Sequence, residues 1–251
     1  MLRPPAHFVE SRYEMVFDIV LTTFSRIDTL KKTLRYIWDR TSTPYRLTVI
    51  DDCTRIDGTQ EYLKKLLAAG KLHAIHLRPK RTGIRHYLEQ HLQLTTSDPL
   101  ISVDDDILCP KLKPDWLYQG LQVMKHHPEL GVVALNNPYE NWSNRRPWKK
   151  PVGKYLTYIH AVGGTFAFIR REILRDCVGS DKPVLNKSPM LTLSQRVWAH
   201  PKGFKVGYLS EVYCQHNQGM STRTRRDSTK RLSRVLPMNP NSLEPAEKFR
   251  R

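Results

Sequence analysis

Leu100-Ile101-Ser102-Val103-Asp104-Asp105-Asp106 decides how this chain is read. A short apolar strand runs straight into three carboxylates. In extended chain the side chains alternate, so Asp104 and Asp106 are expected to face one way and Asp105 the other. Adjacent carboxylates repel, and a bound cation offsets that repulsion. Mg²⁺ or Mn²⁺ suits the role, being hard, octahedral and able to share its ligands with phosphate oxygens. The position fits as well, because open α/β sheets bind ligands beyond the carboxyl ends of their strands. The competing reading is a solvated acidic turn or a set of helix caps. The apolar strand before the triplet and the helix after it favour the ion site.

Outward from this stretch, the first two-thirds of the chain alternate strand-like and helix-like segments, the pattern of an α/β domain. Phe17 to Thr23 reads as a buried strand. Leu30, Leu34, Ile37 and Trp38 recur at helical spacing, and Thr43-Pro44 ends that helix. Tyr45 to Ile50 is a second strand that stops at Asp51-Asp52. Asp57-Gly58 is a turn, after which Thr59 can cap a helix running to about Ala69. Leu72 to Leu77 reads as a strand and Gly83 to Leu94 as a helix. Pro114 opens a helix at Asp115-Trp116-Leu117 that lasts to about His126. Gly131 to Leu135 is a further strand. Asn141 to Lys154 reads as a polar, basic loop, and Tyr155 to Ile169 as extended chain around Gly163-Gly164. Leu191 to Ala199 is expected to be helical and Phe204 to Leu209 a strand. We expect an extension over 1–15, one domain over 16–217, and a basic, flexible tail over 218–251.

The 251 residues suffice for a buried core. No run of about 18 apolar residues is present to span a bilayer, and Met1 to Ser11 carries no secretory h-region. A cytoplasmic location is expected, that of a host if the chain is viral. Cys53, Cys109, Cys177 and Cys214 form no C-x-x-C pair, which disfavours a zinc ribbon or redox motif. The net charge of +17 speaks to partners: nucleic acid, an anionic membrane surface or an acidic glycan.

Two other groups of residues can carry chemistry. Asp51 and Asp52, at a strand end, can accept hydrogen bonds from ribose hydroxyls or a base N–H, or can belong to an ordinary polar turn. His216, after Glu211-Val212-Tyr213-Cys214, offers a neutral imidazole of the kind that ligates metals. A lone histidine is equally at home in a structural role.

Taken in order, Ile19-Val20-Leu21-Thr22-Thr23-Phe24-Ser25-Arg26, Val49-Ile50-Asp51-Asp52 with Asp57-Gly58-Thr59, and Val103-Asp104-Asp105-Asp106 resemble the family 2 glycosyltransferases of GT-A fold. Gly163-Gly164-Thr165-Phe166-Ala167-Phe168-Ile169-Arg170-Arg171 is similar to that family's glycine pair, strand and acceptor-side arginine. Leu193-Ser194-Gln195-Arg196, Gly203-Phe204-Lys205-Val206 and His216 are similar to its closing helix, strand and histidine. The resemblance spans roughly residues 16–217 and rests on the ordered set.

The resemblance implies a GT-A, Rossmann-like α/β fold with a mixed, mostly parallel central sheet flanked by helices. It implies transfer of a sugar, a hexose in the first instance, from a nucleotide-sugar donor to an acceptor hydroxyl. A UDP-sugar is the first choice of donor, with Mn²⁺ or Mg²⁺ as cofactor. Thr22, Thr23, Phe24 and Arg26 would line the nucleotide pocket, together with Arg85. Asp51 and Asp52 would contact the nucleobase or ribose. Asp104 would face the ribose or the metal. Asp106 would ligate the metal with the donor diphosphate, and His216 would add a further ligand. Gly163 and Gly164 would let backbone approach the sugar or acceptor. The metal would stabilise charge on the leaving diphosphate. The chain departs from the family where an acidic pair usually precedes the Leu-Ser-x-x-Arg stretch, for Ser188-Pro189-Met190-Leu191-Thr192 stands there. Asp176 and Asp181 are the nearest carboxylates. Three readings follow: Asp181 is supplied from a loop as catalytic base, the reaction is retaining, or the chain is weakly active.

Positive charge gathers at Lys64, Lys65, Lys71, Arg78, Lys80, Arg81 and Arg85, and again at Arg145, Arg146, Lys149 and Lys150 among Trp142, Trp148 and Tyr155. Basic groups beside aromatics suit nucleic acid. The expected acceptor is therefore polyanionic, with a hydroxymethylpyrimidine in DNA as one candidate. Such a base would be flipped from the duplex, with Trp142 or Trp148 flanking the gap. The rival acceptor is a cell-surface glycan or lipid-linked precursor, with peripheral membrane contact through the tail. A non-catalytic nucleic-acid binder on the same scaffold is a second class. A nucleotidyltransferase is a third, disfavoured because no glycine-rich phosphate loop follows the first strand. Oligomeric state is not legible.

Overall fold

The computed structural model describes residues 15–55, 57–81, 87–137, 149–163, 166–178 and 189–217. The strands are β1 (Phe17–Thr23), β2 (Tyr45–Asp51), β3 (Ala74–Leu77), β4 (Leu100–Asp104), β5 (Ile107–Leu108), β6 (Leu130–Asn136), β7 (Lys149–Val152), β8 (Leu156–Ile159), β9 (Ala167–Ile169), β10 (Lys205–Tyr213) and β11 (Gln215–His216). The helices are α1 (Ile27–Arg40), α2 (Thr59–Ala68), α3 (Tyr87–Gln93), α4 (Trp116–His126), α5 (Arg171–Val178) and α6 (Pro189–Ala199).

Nine strands form one sheet in the order β3-β2-β1-β4-β9-β6-β10-β8-β7, and β11 pairs with β5 in a small second sheet. In the large sheet only β9 and β8 run against the others. The GT-A-type α/β architecture expected from the sequence is what the chain adopts.

Alternation along the strands supplies two cores. Ile19, Leu21, Ile101, Val103, Val133 and Phe168 face α1, α2 and α4. Leu100, Val132, Ala134, Ala167 and Ile169 face α3, α5 and α6. Helices therefore cover both faces, which explains why the central strands read as continuous apolar runs. In α1, Leu30, Leu34 and Ile37 are buried, as their spacing requires. In α4, Gly120 lies against Phe168: a Cβ there would come within 2.1 Å of the ring.

Several boundaries differ from the sequence reading. Asp115 is the N-cap of α4 rather than its first residue, and accepts from the Tyr118 N–H at 2.9 Å. Gly58, left-handed at φ 74°, is the N-cap of α2. Thr59 is the first helical residue, and its hydroxyl donates to Asp57 Oδ1 at 2.7 Å. Lys149–Val152, expected in a loop, is the edge strand β7. Helix α5 was not anticipated, because Ile173, Leu174 and Cys177 make only a narrow buried stripe in a charged segment. No helix among the described residues is long and apolar enough to cross a membrane. Residues 1–14 of the expected extension over 1–15, and the whole of the tail over 218–251, lie outside the described residues.

Candidate active site

Because β1, β2 and β4 are parallel neighbours, their carboxyl ends share one edge of the sheet. Thr22 is in register with Ile50 and with Asp104, and Thr23 with Asp51. The Asp52 N–H donates to the Thr23 carbonyl at 2.9 Å, extending the ladder past β2. The three motifs found in sequence therefore meet at one place, beyond the strand ends where open α/β sheets bind ligands.

Asp105 lies beneath this edge and is only 5% exposed. Burial pushes its carboxyl up to about 6, even though the Thr23 hydroxyl and the Arg26 guanidinium both favour the charged form. The Thr23 hydroxyl donates to Asp105 Oδ2 at 2.6 Å, and the Thr33 hydroxyl donates to the Asp105 carbonyl at 2.7 Å. Strict alternation through the triplet does not hold. The chain turns after Asp104, so one guanidinium nitrogen of Arg26 reaches Asp106 Oδ2 at 2.7 Å and Asp105 Oδ1 at 3.4 Å. A side chain of the protein thus offsets part of the repulsion from which a metal ion was inferred. Asp104, the last residue of β4, is half-buried.

His216 arrives from the far end of the domain. Antiparallel pairing of β11 with β5 sets His216 opposite Ile107, next to Asp106 in the chain. Its Nδ1 stands 3.8 Å from Asp106 Oδ1. The Asn217 N–H donates to the Asp106 carbonyl at 2.6 Å, and its amide donates to the Thr29 carbonyl at 3.2 Å, tying this segment to α1. Among the described residues no three His, Cys, Asp or Glu side chains are grouped as a metal centre. The pair of Asp106 and His216 nevertheless fits a divalent ion whose other ligands come from elsewhere. With metal–ligand bonds of about 2.1 Å, two donors on one octahedral ion lie about 3.0 to 4.2 Å apart. Mg²⁺-type ions also take one or two carboxylates and complete their shell with phosphates and water.

Around this centre, the Phe24 ring carries the Arg81 guanidinium 4.0 Å from its centroid. Ser25 is left-handed at φ 49°, and its N–H donates to the Thr54 hydroxyl at 2.8 Å. Asp51 is fully buried. Its Oδ2 accepts from the Thr54 N–H and the Gln60 amide, both at 2.9 Å. Its Oδ1 and the Thr22 hydroxyl are buried with no hydrogen-bond partner among the described residues. Asp52 Oδ1 accepts from Arg78 at 2.7 Å. Arg78, which the sequence placed in a surface cluster, is buried, because its N–H joins the Asp51 carbonyl and draws it under the sheet edge.

Gly163 lies at the same end of the sheet, ahead of β9, which runs antiparallel to β4. For the same reason Arg170 and Arg171, beyond the other end of β9, sit away from the triplet. Arg170 donates to the carbonyls of Leu130 and Met124, and Arg171 to those of Thr95 and Leu92. They brace the fold and do not form an acceptor site. Asp176, on α5, pairs with His200 at 2.7 Å. Arg85, Gly164, Asp181, Arg145, Arg146 and Trp148 lie outside the described residues. Lys149 and Lys150 belong to β7, where Lys150 is exposed. Sequence reasoning missed the Arg78–Asp52 pair and the part played by Asp105; the one available signal was an arginine directly after a strand that neighbours β2.

Comparison with known proteins places this geometry. The model of the family described as glycosyl transferase family 2 matches residues 18–178. Among solved structures, the mannosyltransferase PcManGT from Pyrobaculum calidifontis, in complex with GDP-Man and Mn²⁺, matches with TM-score 0.67 and 17% identity over 91% of this chain and 67% of that one. GalNAc-T7 with UDP, GalNAc and Mn²⁺ gives 0.62 and 13%, over 82% of this chain and 44% of that one. S. aureus TarS 1-349 in complex with UDP-GlcNAc gives 0.58 and 14%, over 82% and 60%. At these identities the likeness establishes the fold, and the chain spans roughly half to two-thirds of the lengths of these proteins. No curated protein matches it in sequence. On the family match, which covers well over half of its residues, the chain belongs to glycosyl transferase family 2.

Proposed function

We propose that the chain is a metal-dependent glycosyltransferase that moves a sugar from a nucleoside-diphosphate sugar to an acceptor hydroxyl. The observation that carries this reading is the meeting of Asp106 and His216, 3.8 Å apart, at the carboxyl end of β4. Mn²⁺ or Mg²⁺ would be held by these two residues, and when bound would supply positive charge for the departing diphosphate. Arg26 adds a second, permanent positive charge at the same point. Thr22, Thr23 and Phe24 would flank the nucleoside, with Asp51 and Asp52 on the side of the base and ribose. The buried, unpartnered Asp51 Oδ1 and Thr22 hydroxyl mark where such a ligand could be received. The complexes of PcManGT with GDP-Man, GalNAc-T7 with UDP and TarS with UDP-GlcNAc support a nucleotide-sugar donor, with a UDP-sugar the first to test.

For the acceptor we propose a polyanion, and within that class DNA bearing a hydroxymethylpyrimidine. The net charge of +17 supports it. So does the exposed Lys150 on the edge strand β7, near Lys154, which lies 5.5 Å from the centroid of the Tyr155 ring. A glycan or lipid-linked precursor is the rival outcome. Asp181 remains the proposed catalytic base if the reaction inverts.

The deciding experiment is a panel of UDP-, GDP- and CMP-sugars with and without Mn²⁺, read by thermal shift and by nucleotide release. A metal-dependent shift and release with one donor, absent in Asp106→Ala, is expected. No shift with any donor would refute the assignment and leave a scaffold without turnover.

A further inference from the structure

The two oxygens of Asp106 face groups of different kinds. Oδ2 accepts from Arg26 Nη1 at 2.7 Å, while Oδ1 stands 3.8 Å from His216 Nδ1. The same guanidinium nitrogen lies 3.4 Å from Asp105 Oδ1. A guanidinium stays ionised at every accessible pH, so no proton loss removes this charge from the carboxylates. The backbone that carries it is fixed by two loops. Ser25, left-handed at φ 49°, donates its N–H to the Thr54 hydroxyl at 2.8 Å, and the Thr54 N–H donates to the buried Asp51 at 2.9 Å. On the other side, the Ile27 N–H donates to Asp57 Oδ2 at 3.3 Å. The Arg26 carbonyl accepts from the Leu30 N–H at 2.9 Å, the first bond of α1. The side chain, by contrast, makes no capping bond to α1. It is 46% exposed, against 20% for Asp106 and 7% for Asp105. The guanidinium therefore covers the two carboxylates from the water side, and can turn outward without opening the core.

That placement has an electrostatic consequence. A cation already paired with Asp106 weakens the hold of the same carboxylate on a second cation, and at a partly exposed site repulsion between neighbouring positive charges is still appreciable. A diphosphate changes the balance. It brings several negative charges, and it offers Arg26 an alternative partner of the kind a planar guanidinium binds in bidentate fashion. We propose that Arg26 makes divalent-metal binding conditional on the donor. While Arg26 neutralises Asp106, the protein holds Mn²⁺ weakly. When a nucleoside diphosphate is present, Arg26 pairs with its phosphates and leaves Asp106 to the metal. The coupling between the two ligands is then a property of this one side chain, which binds differently in the two states. The inference rests on the transferase reading, with Asp106 and His216 as metal ligands, and adds to it the reason why metal and donor are taken up together.

The test is a titration of the full chain with Mn²⁺, following the paramagnetic resonance of the unbound ion, alone and with saturating UDP or GDP. The Mn²⁺ that each nucleotide binds in buffer is subtracted. In wild type the better nucleotide is expected to tighten Mn²⁺ by about tenfold or more. Arg26→Gln removes the charge and no helix cap. It should tighten Mn²⁺ in the absence of nucleotide by about fivefold or more, and weaken it in the presence of nucleotide, so that the coupling nearly vanishes. Arg26→Lys keeps the charge without the fork. It should leave Mn²⁺ alone as weak as in wild type and recover part of the coupling. Changes of opposite sign are what a merely structural role cannot produce, since a damaged loop would weaken metal binding in both conditions. If Arg26→Gln weakens Mn²⁺ by one common factor with and without nucleotide, or leaves the coupling as in wild type, the proposal fails. If wild type binds Mn²⁺ in neither condition, the transferase reading itself falls and takes this one with it.

Discussion

His216 Nδ1 faces Asp106 Oδ1 across 3.8 Å, and the contact exists only because the two-residue strands β5 and β11 pair. If these side chains share a divalent ion, their losses should differ in degree. Asp106→Asn should lower Mn²⁺-dependent nucleotide release by about 100-fold or more. His216→Ala should weaken the apparent Mn²⁺ affinity by about tenfold, with release partly recovered at high Mn²⁺. A Mn²⁺ titration of release for each variant tests both expectations; equal rates in wild type and Asp106→Asn would contradict them.

Acid should unfold the protein partly through Asp115. Burial alone would raise its carboxyl, but hydrogen bonds from Ser42, the Tyr118 N–H and Thr43 outweigh burial and hold it below 3.8. The folded state therefore binds this proton less tightly than the unfolded chain. The stabilisation is fully present above the unfolded value, near pH 4, and is lost as pH falls through the folded value below it. Asp115→Asn should lower the melting temperature at pH 7, and its gap to wild type should narrow towards pH 3. A gap that stays constant with pH would show that the charge is not what matters.

Gly120→Ala should destabilise the domain although Ala is the better helix former. A Cβ would sit 2.1 Å from Phe168 Cζ, and Phe168 is itself buried against Trp116 with ring centroids 6.0 Å apart. Overpacking of this kind costs about 1–3 kcal/mol, against about 1 kcal/mol gained in helix propensity. A net loss of up to about 2 kcal/mol should appear as a fall of up to several degrees in thermal melts. Gly120→Ala melting at or above wild type would mean that α4 can shift away from β9.

If the acceptor is DNA, affinity for duplex should fall steeply with salt. Neutralising Arg145, Arg146, Lys149 and Lys150 together should flatten the slope of log K against log salt by about 3 to 4. Competition fluorescence between 50 and 300 mM salt would read this directly. An unchanged slope removes the nucleic-acid acceptor and leaves the glycan.

Much of the fold was legible because its signals are local. The spacing of Leu30, Leu34 and Ile37 specified one face of α1, and the apolar runs at 17–23 and 100–103 specified strands covered on both sides. The elements that escaped notice are those whose stability comes from neighbours. β7 is charged edge chain held by β8, α5 hides a narrow stripe among ionised residues, and β5 and β11 are too short to show a period.

The sequence by itself determined the order of the motifs, their places at strand ends, and the concentration of carboxylate there; covalent order and side-chain chemistry suffice for that. Only the tertiary structure decided which groups face one another. It turned Arg26 onto both Asp105 and Asp106, took Arg78 out of the basic surface and set it on Asp52, and carried Arg170 and Arg171 to the opposite edge. Partner choice of this kind depends on strand direction and register between distant segments, and on which charges the core leaves in reach of water. No pattern along the chain encodes those relations locally.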